Sequence, residues 1–554
     1  MRKAVASRVS MMRCLSALWL AGAVALSAAG CSRTTAGPPP GRAGTVILGE
    51  TSEPISLNPL LLEGLSAGTV GSLLYSYLVT VDASGRLVPD AAAAVPSVRN
   101  GGISRDGLTI TYHLRRGIRW HDGAPLTARD CVYTFRAIMD PHVLVPDRHG
   151  YDRIASVRAP DPYTVAVRLK RPFSPLVATF LEVNANYPIV PEHLFRRARD
   201  LNHLDPARYT VGSGPYRLVR WERGDRLVLD ANPAYFLGKP RVARLILRFV
   251  PDADTIVNQL RTRELDGALN LEDPALIRPL SAIPGVTVTK APAWGVAIVY
   301  FNAQRGATAD PALRRALARA VDADAVVRRA TQGAYGAARA WRGLFGAYDA
   351  APELPRYDPV AARGALDALG WRTGANRVRT RNGVPLALTL VFSSAQPLYR
   401  IVATELQAEL RAVGADVSIR GYPPTQFKAP AGDGGPMFGG RFDLILADIY
   451  TTGDADTSSY FTCSERAPAG FNISRLCDPV YDRIAERAER AADPAATRGD
   501  VARMETRLVR DGPAIVLAQL RFVGAFDDRL RGFAASPVTP YAAAWRWSLA
   551  AAAH

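Results

Sequence analysis

At 554 residues, with 48% hydrophobic and 21% charged side chains, the chain is too long for one ordinary domain and too apolar for a disordered one. Five cysteines in that length exclude a disulfide-built scaffold. The formal net charge of +17 is an arginine effect, since only Lys3, Lys170, Lys239, Lys290 and Lys428 among the 68 basic residues are lysine. That usage, with its long alanine runs, is what GC-rich coding writes, so the charge alone does not argue for a polyanionic partner.

Arg2, Lys3, Arg8 and Arg13 precede an apolar run over residues 15–29, and no acid occurs before Glu50. A basic start, a short apolar core and small residues before a cut make a secretory signal of residues 1–30. The core is about 15 residues, short of the roughly 20 that a spanning helix needs. Ala28-Ala29-Gly30-Cys31 resembles a bacterial lipobox, in which Cys31 becomes the lipidated first residue of the mature chain. Ala28 stands where leucine is usual, and a plain cut after a small residue is the alternative. Residues 31–44, rich in Pro, Gly, Thr and Ala, read as a flexible tether. Loss of the signal removes four positive charges, leaving about +13.

Further along, Gly64-Leu65-Ser66-Ala67-Gly68 fits the G-x-S-x-G pattern that would make Ser66 the nucleophile of an exported hydrolase. The pattern needs a strand before it and a helix after it, and no Asp and His follow in a matching context. Leu108, Ile110, Tyr112 and Leu114 alternate with polar residues, the period of a half-buried strand. Thr127 to Asp130 then form a capping box that opens a helix ending at Asp140-Pro141. Three more helices are expected to start alike, at Asp310-Pro311, Asp358-Pro359 and Asp478-Pro479, each an N-cap acceptor followed by proline. After Asp310, Leu313, Leu317, Ala320 and Val321 form an apolar stripe, which puts Arg314, Arg315 and Arg319 on a solvated face.

Residues 386–449 are the most legible. A strand at 386–392, a helix at 398–413 closed by Gly414, and strands at 416–419 and 442–449 imply parallel pairing and an α/β lobe. Ligands of open α/β sheets collect outside the carboxyl ends of the strands, and Asp448 lies at such an end. In an exported chain Cys14 leaves with the signal and Cys31 takes lipid. Cys463 and Cys477, either side of a loop with Pro468, Gly470 and Asn472, are expected to pair, and Cys131 to be a small buried hydrophobe. No Cys or His spacing suits a metal. His121-Asp122 is read as part of a turn, with no catalytic role.

Three longer blocks carry a family resemblance. One runs from Ser104-Arg105-Asp106-Gly107-Leu108-Thr109 through His113-Leu114-Arg115-Arg116-Gly117-Ile118-Arg119-Trp120-His121-Asp122-Gly123-Ala124-Pro125-Leu126-Thr127 to Asp130. The second is Gly212-Ser213-Gly214-Pro215-Tyr216 with Asn232-Pro233-Ala234-Tyr235-Phe236, and the third Tyr300-Phe301-Asn302 leading to Ala320-Val321-Asp322. Ser56-Leu57-Asn58-Pro59 and Leu87-Val88-Pro89-Asp90 are shorter matches. Together they resemble the solute-binding proteins of peptide-importing ABC systems, the dipeptide/oligopeptide family 5, over residues from about 45 to about 490.

The resemblance implies an α/β, two-lobe periplasmic-binding-protein-like fold of the large cluster C type. Two crossover segments, near 290–296 and 511–518, would form its hinge, with a cleft between the lobes. Lobe one would be 45–290 with 515–554 returning to it, and lobe two 295–510. It implies no enzyme activity, no catalytic residue, no cofactor and no resident metal. A monomer anchored outside the cell membrane would capture peptides, oligopeptides above all, and pass them to ABC permease subunits, without nucleic acid. A nickel chelate, haem or sugar as cargo, and a receptor without a transporter, are the alternatives.

In the family an acid on lobe two pairs with the ligand's terminal ammonium. Asp448 matches by position and Asp454 is its rival, because the usual Asp-Pro is replaced by Gly453-Asp454-Ala455-Asp456. The loop Ser393-Ser394-Ala395-Gln396-Pro397 lacks the arginine that takes the ligand carboxylate in dipeptide-type members, so Ser393 and Gln396 are its candidate contacts. Trp294 is a further cleft candidate, or else a core or hinge residue.

Overall fold

The structure is a computed structural model that describes residues 44–550 apart from 63, 147, 149, 183–186, 272, 339–352, 375, 451–457 and 492–493. The signal, the tether and the proposed lipid site Cys31 therefore lie outside the described residues, as does Asp454.

Strand β1 (Thr45–Glu50) enters the main sheet directly. Helix α1 (Gly64–Leu74) includes Ser66, and the preceding residues 51–62 form no strand. The strand-to-helix elbow that a G-x-S-x-G nucleophile needs is therefore not built here. Strand β2 (Thr109–His113) buries Ile110 and Tyr112, as the alternation predicts. Helix α2 (Ala128–Met139) starts at the Thr127 box, where the Asp130 carboxylate accepts the Thr127 N–H at 2.7 Å. It packs on strands β3 (Ile154–Asp161) and β4 (Thr164–Leu169) around a core that includes Tyr112, Trp120, Ile138 and Val167.

Five strands complete the first part of the main sheet: β5 (Tyr216–Glu222), β6 (Arg226–Ala231), β7 (Arg244–Phe249), β8 (Gly267–Leu271) and the long β9 (Val286–Phe301). Helices α3 (Pro311–Arg319), α4 (Ala323–Ala330) and α5 (Pro359–Ala368) follow, the first and third on the Asp-Pro starts. Asp310 and Asp358 accept the N–H groups of Ala312 and Ala361, each at 2.8 Å. Strand β10 (Ala387–Ser393), helix α6 (Pro397–Ala412), β11 (Asp416–Tyr422) and β12 (Leu444–Tyr450) are the expected α/β unit. Both β11 and β12 pair with β10 in parallel. Val402, Leu406 and Leu410 bury the inner face of α6, each contributing roughly 1.5–3 kcal/mol. Helices α7 (Pro479–Glu489), on the third Asp-Pro, and α8 (Arg498–Asp511) lead into the long β13 (Ala514–Asp527).

The main sheet has the order β11-β10-β12-β9-β13-β8-β1-β7-β6-β5. Its middle is the antiparallel pair β9 and β13, and the two ends of that pair serve different lobes. Residues 295–301 of β9 pair with β12, while residues 523–526 of β13 pair with β8. Between them the β9–β13 register shifts, from Pro292 opposite Arg521 to Val296 opposite Gln519. Two lobes are thus joined through two crossover strands whose ladder is irregular where they cross.

One expectation is corrected. Arg315 and Arg319 are exposed, but Arg314 is only 2% exposed. Its guanidinium donates to the carbonyls of Thr308, Ala309, Asp511 and Gly512, capping the carboxyl end of α8. Those last-turn carbonyls have no intrahelical donor, and the buried cation satisfies them.

Candidate functional site

A cavity of about 90 Å³ straddles the register shift. Asn270 and Leu271 come to it from β8, Ala293 from β9, and Leu520, Arg521 and Phe522 from β13. Gln396, Leu398 and Tyr399 come from the start of α6, and Asp448 from β12. The wall thus joins the carboxyl ends of the parallel strands β10 and β12 to both crossover strands.

Asp448 follows the apolar run 444–447 and stands opposite Ala297 across the ladder. The Tyr399 hydroxyl donates to its Oδ1. Gln396, the residue before α6, has its N–H directed to the Ser393 carbonyl at 3.4 Å. Ser393 itself ends β10 and stands outside the cavity wall. Trp294 adjoins the wall residue Ala293 but packs with Tyr77 and Val81, only 2% exposed, and its backbone N–H donates to the Pro537 carbonyl at 2.9 Å. Of the sequence candidates, then, Asp448 and Gln396 meet in one wall.

The wall also holds residues that the sequence reading passed over. Arg521 brings a guanidinium, whose Nη1 donates to the Lys290 carbonyl at 3.3 Å. It places a cationic group in the wall from the return crossover, whereas the loop 393–397 has none. Asn270 is the one polar residue in the wholly buried strand Gly-Ala-Leu-Asn-Leu, and an amide in such a run was the available signal. Glu50, outside this wall but bonded to Asn270, was visible in the same way, as an acid ending an apolar strand. It is 6% exposed, accepts from the Tyr541 hydroxyl and from Asn270 Nδ2, and is pushed up to about 7 by burial, against the pull of those two bonds.

The first two resemblance blocks lie apart from this cavity and hold one another. His121 Nδ1 accepts the Gly212 N–H at 3.2 Å, and its Nε2 donates to the Gly214 carbonyl at 3.1 Å. Asn232 Nδ2 donates to the same carbonyl at 3.0 Å. Burial lowers His121 to about 4, so the ring is the neutral Nε2–H tautomer. A Cβ on Gly212 would lie 1.6 Å from the Leu74 carbonyl oxygen, which explains the glycine. Asp122 turns to His193 instead, at 2.7 Å, so His121 and Asp122 form no acid/base pair. Cys463 and Cys477 are disulfide-bonded and Cys131 is free and buried, both as expected.

Two lobes, two irregular crossover strands and a cavity between them with a carboxylate, a phenol, amides and a guanidinium define a hinged binding protein. The chain belongs to the bacterial extracellular solute-binding proteins of family 5, whose middle region matches residues 86–469. It is 31% identical over 522 residues to Protein XP55 of Streptomyces lividans, covering 92% of this chain and 90% of that one. It is 27% identical over 398 residues to a putative ABC transporter peptide-binding protein of Brucella ovis, covering 71% and 72%. The solved structure of NikA from Brucella suis in complex with Fe(III)-EDTA superposes with a TM-score of 0.79 at 21% identity, over 91% of this chain and 100% of that one. The two-lobe α/β fold implied by the signature blocks is thus the fold of the chain.

Proposed function

We propose that the protein captures peptides in the cavity at the crossover strands and delivers them to ABC permease subunits, doing no chemistry on them. The observation that carries this reading is Asp448, an acid at the carboxyl end of a parallel strand, in a wall shared by both lobes. A carboxylate so placed suits the terminal ammonium of a peptide. Arg521 in the same wall suits a carboxylate. The Brucella ovis relative, a putative peptide-binding protein of an ABC transporter, supports the same cargo and partner. We place lobe one at 45–290 and lobe two at 295–510. The β13 ladder supports a return boundary at 519–521 in place of 515, since residues 514–519 pair beside β12's neighbour β9. In this reading Cys31 carries lipid and holds a monomer outside the cell membrane. Asp454 is the second candidate for the ammonium.

A second reading has one observation in its favour. NikA of Brucella suis, with the same fold, holds an Fe(III)-EDTA chelate, and Arg521 would suit the carboxylates of such a complex. Mass spectrometry of ligand co-purified from natively produced protein, followed by a thermal-shift screen, separates the two. Ligand binding raises stability by mass action. Peptides in the co-purified fraction and shifts with peptide pools are expected; a chelate or sugar, with no response to any peptide, would replace the proposal. For Cys31, radiolabelled palmitate should enter the wild type and not Cys31→Ser, and label in both would refute lipidation there.

A further inference from the structure

Glu50, at the end of β1, lines a second cavity of about 130 Å³ with Thr51, Ser52 and Thr69. Asn270 belongs to the walls of both this cavity and the Asp448 cavity. It lies where β8 loses register against β13, between Ala268 and Leu271, with its backbone in the left-handed region at φ +59°. A side-chain-bearing residue adopts that conformation rarely and keeps it only where the surroundings impose it.

The surroundings here are polar and directional. Asn270 Nδ2 donates to Glu50 Oε2 at 3.3 Å and to Thr69 Oγ1 at 3.1 Å. Once ionised, as it mostly is above about pH 7, the Glu50 carboxylate only accepts, so the amide then offers its nitrogen to Glu50 and turns Oδ1 the other way. The whole residue is 5% exposed, and Oδ1 has no hydrogen-bond partner among the described residues. A buried acceptor without a donor is costly. Asn270 also lines the cavity that contains Asp448, and a ligand held there would bring donors to it.

We infer that Asn270 is a ligand contact whose Oδ1 accepts an N–H from the group bound by Asp448, and that Glu50 is the positioning residue that sets the amide this way round. The inference rests on the proposed amine at Asp448 and narrows its class. A primary ammonium has three N–H donors, enough to serve an acceptor on each side of the crossover strands, whereas an acylated nitrogen has one. Held from both sides, such a group favours the closed arrangement of the lobes.

The test is calorimetric titration at pH 7.5 with trialanine and N-acetyl-trialanine, on wild type, Asn270→Gly, Thr69→Val and Glu50→Gln, each checked for folding by its thermal melt. Glycine accepts the left-handed backbone, so Asn270→Gly removes the amide without adding strain. Trialanine should bind the wild type more tightly than its acetylated form, and Asn270→Gly should weaken trialanine by 10- to 100-fold. Glu50→Gln offers a donor where Glu50 only accepts, which lets the Asn270 amide turn over. Its preference for trialanine over the acetylated peptide should fall at least tenfold, whereas a merely structural loss would weaken both alike. Thr69→Val, which removes only the second acceptor, carries the test if Glu50→Gln does not fold, and should reduce the preference in the same direction. Variants within twofold of wild type for trialanine, or an equal loss for both probes, would overturn the inference and leave the peptide reading intact. A wild type that binds neither probe and responds to no peptide pool overturns the peptide reading, and the inference falls with it.

Discussion

The phenol of Tyr399 donates to the carboxylate of Asp448 and so ties the first turn of α6 to the end of β12. The two residues are 49 positions apart and meet only because β10 and β12 run parallel with α6 between them. A carboxylate held by a phenol is oriented before any ligand arrives. Tyr399→Phe should therefore weaken amine-terminated ligands by about 1 kcal/mol, against roughly 1.5–3 kcal/mol for Asp448→Asn. Titration calorimetry with one peptide on both variants checks this, and a larger loss for Tyr399→Phe would contradict it.

Arg521 should read the other end of a short ligand. Arg521→Gln is expected to weaken dialanine by roughly 1.5–3 kcal/mol and dialanine amide far less, because only the free acid makes a charged hydrogen bond. Equal losses for acid and amide would place Arg521 in a packing role.

Stability should depend on pH with opposite signs at the buried Glu50 and the half-buried His121. Burial raises Glu50 from 4.5 to about 7, so between those values the folded chain keeps a proton that the unfolded chain has lost. Its contribution is full below 4.5 and is lost as pH rises to about 7, on the order of 3 kcal/mol in total. Burial lowers His121 from 6.5 to about 4, so its contribution is full above 6.5 and is lost as pH falls to about 4. Chemical denaturation between pH 4 and pH 8 should show the wild-type advantage over Glu50→Gln growing toward acid, and that over His121→Asn growing toward neutral pH. Parallel profiles for wild type and either variant would refute the assignment at that residue.

The Cys463–Cys477 bond closes a loop with a sequence separation of 14. Constraint of the unfolded chain by a loop of that size is worth about 3 kcal/mol. The double variant Cys463→Ala/Cys477→Ala should unfold at correspondingly lower denaturant, and adding reductant should move the wild type toward it. A midpoint unchanged by both treatments would show that the loop is held by its packing.

What could be read along the chain were interactions spanning a few positions. An aspartate before a proline offers an N-cap acceptor and a residue suited to the first helical position, and Asp310, Asp358 and Asp478 all start helices so, whereas Asp140 ends one. The strand–helix–strand run around α6 and the half-buried strand β2 were visible as periodicity. Arg314 was misread because its stripe position says only where the side chain leaves α3. Its burial depends on carbonyls of Asp511 and Gly512, nearly two hundred positions later. The signature blocks identified the family, yet His121, Gly212, Gly214 and Asn232 hold the scaffold together and say nothing of the cargo.

By itself the amino-acid sequence determined the fold class, the helix starts, the disulfide and one acid of the candidate site, because capping, alternation and an acid ending an apolar strand are local patterns. Only the tertiary structure decided which polar groups share a cavity with that acid. Asn270, Tyr399 and Arg521 are ordinary residues on three separate elements. They converge because β9 and β13 cross between the lobes with a broken register, and such a crossing leaves no trace in any short stretch of sequence.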